Sequence, residues 1–101
     1  MTSPVNVSAP LLGTSSAAES AGVATMAGAD GVAAPLTCAV VPPSLDPAGV
    51  ALAAALNARG AATQAMMADL MAARSLFAAT IGVNGVSYTA SDVISQTLLS
   101  L

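Results

Sequence analysis

The chain has 101 residues, of which 55 % are apolar, 2 % aromatic and 7 % charged, with a formal net charge of −3. That length holds at most one small domain, and two basic residues exclude a surface that grips phosphate or nucleic acid. The absence of histidine removes the commonest general base and metal ligand, and a lone cysteine, Cys38, allows no internal disulfide.

Residues 1–13 read as an N-terminal arm containing Pro4 and Pro10. The arm has neither a basic start nor a sustained apolar run, so a conventional signal peptide is not expected. From about 14 to 34 alanine dominates without a proline, which predicts a first helix, with Pro10 near its first turn or a cap from Thr14, Ser15 or Ser16. Val23, Met26, Ala27, Ala33 and Ala34 have spacings compatible with one face. Gly13, Gly22, Gly28 and Gly31 each weaken a helix by up to about 1 kcal/mol relative to alanine. The same composition also suits a flexible segment, whereas glycines on a contact face would let another backbone come close.

Residues 35–47, "PLTCAVVPPSLDP", form the expected connector, because Pro35, Pro42, Pro43 and Pro47 fix φ and remove amide donors. Asp46 followed by Pro47 predicts an N-cap carboxylate and a proline at the first helical position. No proline follows, so a second helix is expected over about 47–82, about 50 Å long. Leu52, Leu56, Met66, Leu70, Phe77 and Ile81 fall on one broad face, with Thr63 completing the series 56, 63, 70, 77. Arg59 lies near the edge of that face and Asp69 on its flank. Gly82, Asn84 and Gly85 carry helix-stop chemistry, which makes residues 84–101 a C-terminal tail.

These elements predict an all-α fold, a two-helix antiparallel hairpin that completes a helical bundle with a partner protein. Alanine and glycine bury little area each, at roughly 25 cal/mol per Å², so the hairpin closes one side and leaves an apolar side open. Seven charged residues (Glu19, Asp30, Asp46, Asp69, Asp92, Arg59 and Arg74) are too few to cover that side. A membrane span needs about 20 mostly apolar residues in a row. Residues 20–41 contain Asp30 and Pro35, and residues 75–91 contain Ser75, Thr80, Asn84, Gly85, Ser87, Thr89 and Ser91, so no transmembrane span is expected.

No catalytic constellation is legible. The serines lack a histidine to activate them, and the carboxylates are scattered. Cys38 has no metal-ligand companions and reads as an inert connector thiol. Met66, Met67 and Met71 read as an adaptable packing patch. The expectation is therefore a non-enzymatic protein with no cofactor and no metal.

Tyr88 and Asp92 remain, in "GVSYTASDVISQ". On a helix they sit at i and i+4 and project side by side. Two readings stay open: a frayed end whose ring covers the bundle, or a short linear signal displaying a ring and a carboxylate.

The proline-rich "TCAVVPPSLDP", the long alanine-rich helix behind it and the following "YTASD" together resemble the PE family of mycobacteria and related actinobacteria. Tyr88-Thr89-Ala90-Ser91-Asp92 is similar to the Tyr-x-x-x-Asp/Glu signal of type VII (ESX) secretion substrates. The resemblance runs from about residue 10 across the rest of the chain. It departs at the Pro-Glu pair that names the family, since Pro10 is followed by Leu11. It implies a heterodimer with a PPE protein, a type VII chaperone bound through the PPE subunit, and export with Tyr88 and Asp92 as the signal. The destination it implies is the cell envelope or outside, after a cytoplasmic stage. It also implies a bare PE domain ending at Leu101, without the extension many members carry. The partner-interface candidates Leu52, Leu56, Met66, Leu70, Phe77 and Ile81 come from the stripe alone. A WXG100-type secreted hairpin would place Trp-x-Gly between its helices, and this chain has no tryptophan. A membrane-surface amphipathic protein would need a basic polar face, which two arginines do not make.

Overall fold

Two helices account for nearly all of the chain. The structure, a computed structural model, describes residues 5–101, so residues 1–4 of the expected arm lie outside the described residues. Helix α1 spans Ala9–Cys38 and helix α2 spans Pro47–Leu99, with no strand among the described residues. The fold is all-α, a two-helix hairpin.

Both helices are longer than the sequence suggests, and each extension has a local cause. Helix α1 begins at Ala9, not near residue 14, because Ser8 acts as its cap. The Ser8 hydroxyl oxygen accepts the Leu11 N–H at 3.4 Å, and the Ser8 carbonyl accepts the Leu12 N–H at 3.1 Å. Pro10 then sits in the first turn, where a missing N–H costs nothing. Thr14 does not cap; its hydroxyl donates back to the Pro10 carbonyl at 3.1 Å.

Helix α1 also runs through Pro35 to Cys38. The proline removes only the ladder bond to the Gly31 carbonyl, at an exposed residue. The last turn is held by its own contacts: the Thr37 hydroxyl donates to the Ala33 carbonyl at 2.9 Å, and the Thr37 carbonyl lies against Gly60 of α2. The connector therefore shrinks to residues 39–46.

Helix α2 passes Gly82, Asn84 and Gly85 without stopping. None of these glycines takes a positive φ, the conformation a glycine helix stop requires. Gly85 is buried, and a Cβ built on it would lie 3.4 Å from Leu12 Cβ and 3.5 Å from the Ala9 carbonyl oxygen. Its small size serves close approach of two backbones, not termination.

The chain divides into two compact units. The connector unit is Gly22–Ala73. In it Asn57 reaches the connector twice: its Oδ1 accepts the Val40 N–H at 2.7 Å and its Nδ2 donates to the Val40 carbonyl at 3.2 Å. Gly49, Ala53 and Gly60 are buried, and Asn57, Gln64, Met67 and Met71 half-buried; on α1, Val23, Met26, Asp30, Ala34 and Thr37 are half-buried. Ala27 and Ala33, expected on the same face, are exposed.

Asp46 organises the start of α2 in this unit. Its Oδ1 accepts the Gly49 N–H at 2.7 Å and the Ser44 hydroxyl at 2.9 Å, and Pro47 is the first helical residue. The Gly49 hydrogen bond, and then that from Ser44, hold its carboxyl below its usual 3.8. A depressed folded pKa stabilises the fold fully above the unfolded value, near pH 4, and the stabilisation is lost as pH falls through the folded value below that. Asp46→Asn keeps a capping oxygen but does not titrate. It is expected to flatten the loss of helix below about pH 4, measured by circular dichroism across an acid titration.

The terminal unit comprises the chain up to Ala21 with Arg74–Leu101. Here the Ser16 hydroxyl donates to the Ala78 carbonyl at 2.7 Å. Arg74 pairs with Glu19, its Nη2 at 3.0 Å and its Nε at 3.2 Å from the same Oε2. Ala78 and Gly85 are buried, and Arg74, Ile81 and Gly82 half-buried, against Ala9, Leu12, Ser16 and Glu19.

Within each unit the inward positions of α2 recur at steps of three and four: 53, 57, 60, 64, 67, 71 in one and 74, 78, 81, 85 in the other. That 3.5-residue period is the seam of a left-handed coiled coil. Its occupants are mostly small or polar. Ala53 and Ala78, at 4 % and 2 % exposure, are the buried apolar side chains among the described residues.

Candidate functional site

Because the small residues face inward, the large apolar ones face out. Leu52, Leu56, Met66, Leu70 and Phe77 are all exposed, Met66 to 71 % and Phe77 to 56 %. Ile81 differs: it occupies an inward position and is half-buried. Met67 and Met71 also turn inward, so only Met66 of that patch lies on the open face. Leu36, Leu76, Val83, Val86, Val93 and Ile94 add further exposed apolar surface.

Tyr88 and Asp92 stand on α2 beyond the last buried residue, Gly85. They occupy the next two places of the 78, 81, 85 series and point along the seam where α1 has already begun at Ala9. Regular helix carries them: the Thr89 hydroxyl donates to the Gly85 carbonyl at 3.0 Å and the Thr97 hydroxyl to the Val93 carbonyl at 2.9 Å. Tyr88 is 45 % exposed, and Asp92 is exposed.

Tyr88 separates two open recesses of the terminal unit. One is lined by Asn84, Ser87, Tyr88 and Ser91. The other, about 500 Å³, is lined by Val5, Asn6 and Val7 on one wall and Tyr88, Ser91 and Asp92 on the other. The placement of residues 5–7 beside the tyrosine was not legible locally; the two segments are more than 80 residues apart in sequence. A third groove, apolar and about 450 Å³, runs along Ala9, Gly13, Gly82, Gly85, Val86 and Ala90. Cys38 is half-buried at the end of α1, and among the described residues no three His, Cys, Asp or Glu side chains are grouped to hold a metal.

The sequence model of the PE family matches residues 5–95, a span that takes in both helices, the connector and the Tyr88–Asp92 pair. The chain belongs to the PE family. No curated protein and no solved structure matches it. In this PE-family chain Pro10 is the second residue of α1, and the position after it is Leu11, exposed and apolar.

Proposed function

We propose that this PE-family chain is a non-enzymatic subunit that pairs with a PPE protein and is exported by a type VII secretion system, with Tyr88 and Asp92 as its export tag. One observation carries the tag: a ring and a carboxylate sit one turn apart on regular helix, beyond the last buried residue of α2. The outward stripe of Leu52, Leu56, Met66, Leu70 and Phe77, extended by Ile81 at its inner edge, supports the pairing as the face a partner helix would cover. A type VII chaperone is then met through the PPE subunit. The complex forms in the cytoplasm and ends in the cell envelope or outside.

Tyr88→Ala and Asp92→Ala are each expected to lower the exported fraction by about tenfold or more while the complex with the PPE protein persists inside the cell. Immunoblots of culture filtrate and of the purified intracellular complex read both quantities. Unchanged secretion removes the tag.

A second reading has one observation in its favour. Helix α2 is long and apolar enough, by length and composition, to cross a membrane, whereas the sequence led to no such expectation. Core helices of soluble proteins pass the same test, and α2 carries Asn57, Arg59, Asp69 and Arg74 along its length. Retention of the lone chain in carbonate-washed membranes would favour that reading over the complex.

A further inference from the structure

Asp92 is the uncompensated charge of the terminal unit. The charged side chains of that unit are Glu19, Arg74 and Asp92, and the first two pair with each other at 3.0 Å. Beside Asp92 lies the open recess that Val5, Asn6 and Val7 also line. Its lining combines Val5, Val7 and the Tyr88 ring with Asn6, Ser91 and the Asp92 carboxylate.

We propose that this recess receives an arginine side chain of the export machinery, so that the Val5–Val7 segment is part of the tag. The proposal rests on the reading of Tyr88 and Asp92 as that tag. Arginine suits each of these groups. Its methylene stem covers apolar side chains, its guanidinium plane stacks on a tyrosine face, and its fork pairs with a carboxylate through two hydrogen bonds. Lysine would satisfy the charge without the stacking or the fork. The same arrangement explains what Tyr88 and Asp92 gain from standing one turn apart: the ring and the carboxylate contact successive parts of one long side chain. It also gives the segment before α1 a role that its composition does not suggest.

The test uses the full chain co-expressed with its PPE partner in cells carrying the type VII system, with the exported fraction read against the intracellular complex. Asp92→Asn keeps shape and hydrogen bonding but removes the charge, and is expected to cut export by about tenfold or more; Asp92→Glu is expected to retain most of it. Asn6→Arg places a competing guanidinium in the recess and is expected to cut export similarly, whereas Asn6→Gln is expected to leave it unchanged. Asp92→Asn exported like the wild type would mean a neutral occupant and overturn the proposal. So would Asn6→Arg exported like the wild type, which would remove the Val5–Val7 segment from the tag. In either case a loss of export in Tyr88→Ala shows that the tag itself stands; Tyr88→Ala exported normally removes the tag and this proposal together.

Discussion

Expressed alone, the chain is expected to be insoluble or poorly helical, and co-expressed with a PPE protein from a neighbouring gene it is expected to give a soluble 1:1 complex. Ordering the backbone opposes folding by about 1–2 kcal/mol per residue, and the hairpin offers little burial in return. Its buried apolar side chains, Ala53 and Ala78, are among the smallest available. Exposed Leu70 and Phe77 lie on the outward stripe, so Leu70→Asp or Phe77→Asp should lose the complex without touching the seam between α1 and α2. Size-exclusion chromatography with light scattering, beside circular dichroism, reads all of these. A cooperatively unfolding, monodisperse lone monomer would overturn the need for a partner.

The second large effect is expected at Gly60. A Cβ there would collide with the Thr37 carbonyl oxygen and come within 3.2 Å of Thr37 Cγ2. The first of these is backbone and cannot swing aside, so α1 and α2 must separate locally. Gly60→Ala is expected to destabilise the complex by about 1–3 kcal/mol, and Gly60→Leu by more. Gly28 makes the contrast: a Cβ there would meet nothing within 4 Å, and the residue is exposed. Gly28→Ala is expected to stabilise by about 0.5–1 kcal/mol, through helix propensity alone. Urea unfolding of the two variants as complexes should therefore shift the midpoint in opposite directions for the same chemical change.

Gly60 and Gly28 also show what could be read from the sequence and what could not. Prolines 42, 43 and 47 mark the break between helices because their effect is local and needs no partner atom. The Asp46–Pro47 start of α2 is legible for the same reason. Glycine is ambiguous: Gly82 and Gly85 carry the same letter as a helix stop, yet they remain helical because Ser16, Leu12 and Ala9 come close to them. Only a non-local contact distinguishes the two uses. A recurrence of small residues at 53 and 60, and again at 78 and 85, was the available signal. It is easily lost in a chain where alanine is common everywhere. Pro35 misled in the opposite direction, since one turn of helix after a proline survives when its end is anchored. At the candidate site the Tyr88–Asp92 spacing was legible, but its neighbour at residues 5–7 was not, because only the pairing of the two helices brings that segment there.

A seam of glycine and alanine has a further consequence. Sliding one helix by seven residues would replace Ala53 with Gly60, or Ala78 with Gly85, and at most of these places little packing would be lost; the exception is the close approach at Thr37, where Met67 or Ala53 would arrive in place of Gly60. Beside that steric bar, what opposes the slide is polar and singular. In the connector unit it is Asn57 holding both backbone groups of Val40; in the terminal unit it is Ser16 on the Ala78 carbonyl and Arg74 on Glu19. These few contacts decide alignment more than cohesion, and Asn57→Leu would leave a hairpin with much the same apolar surface but a weaker hold on its alignment in the connector unit.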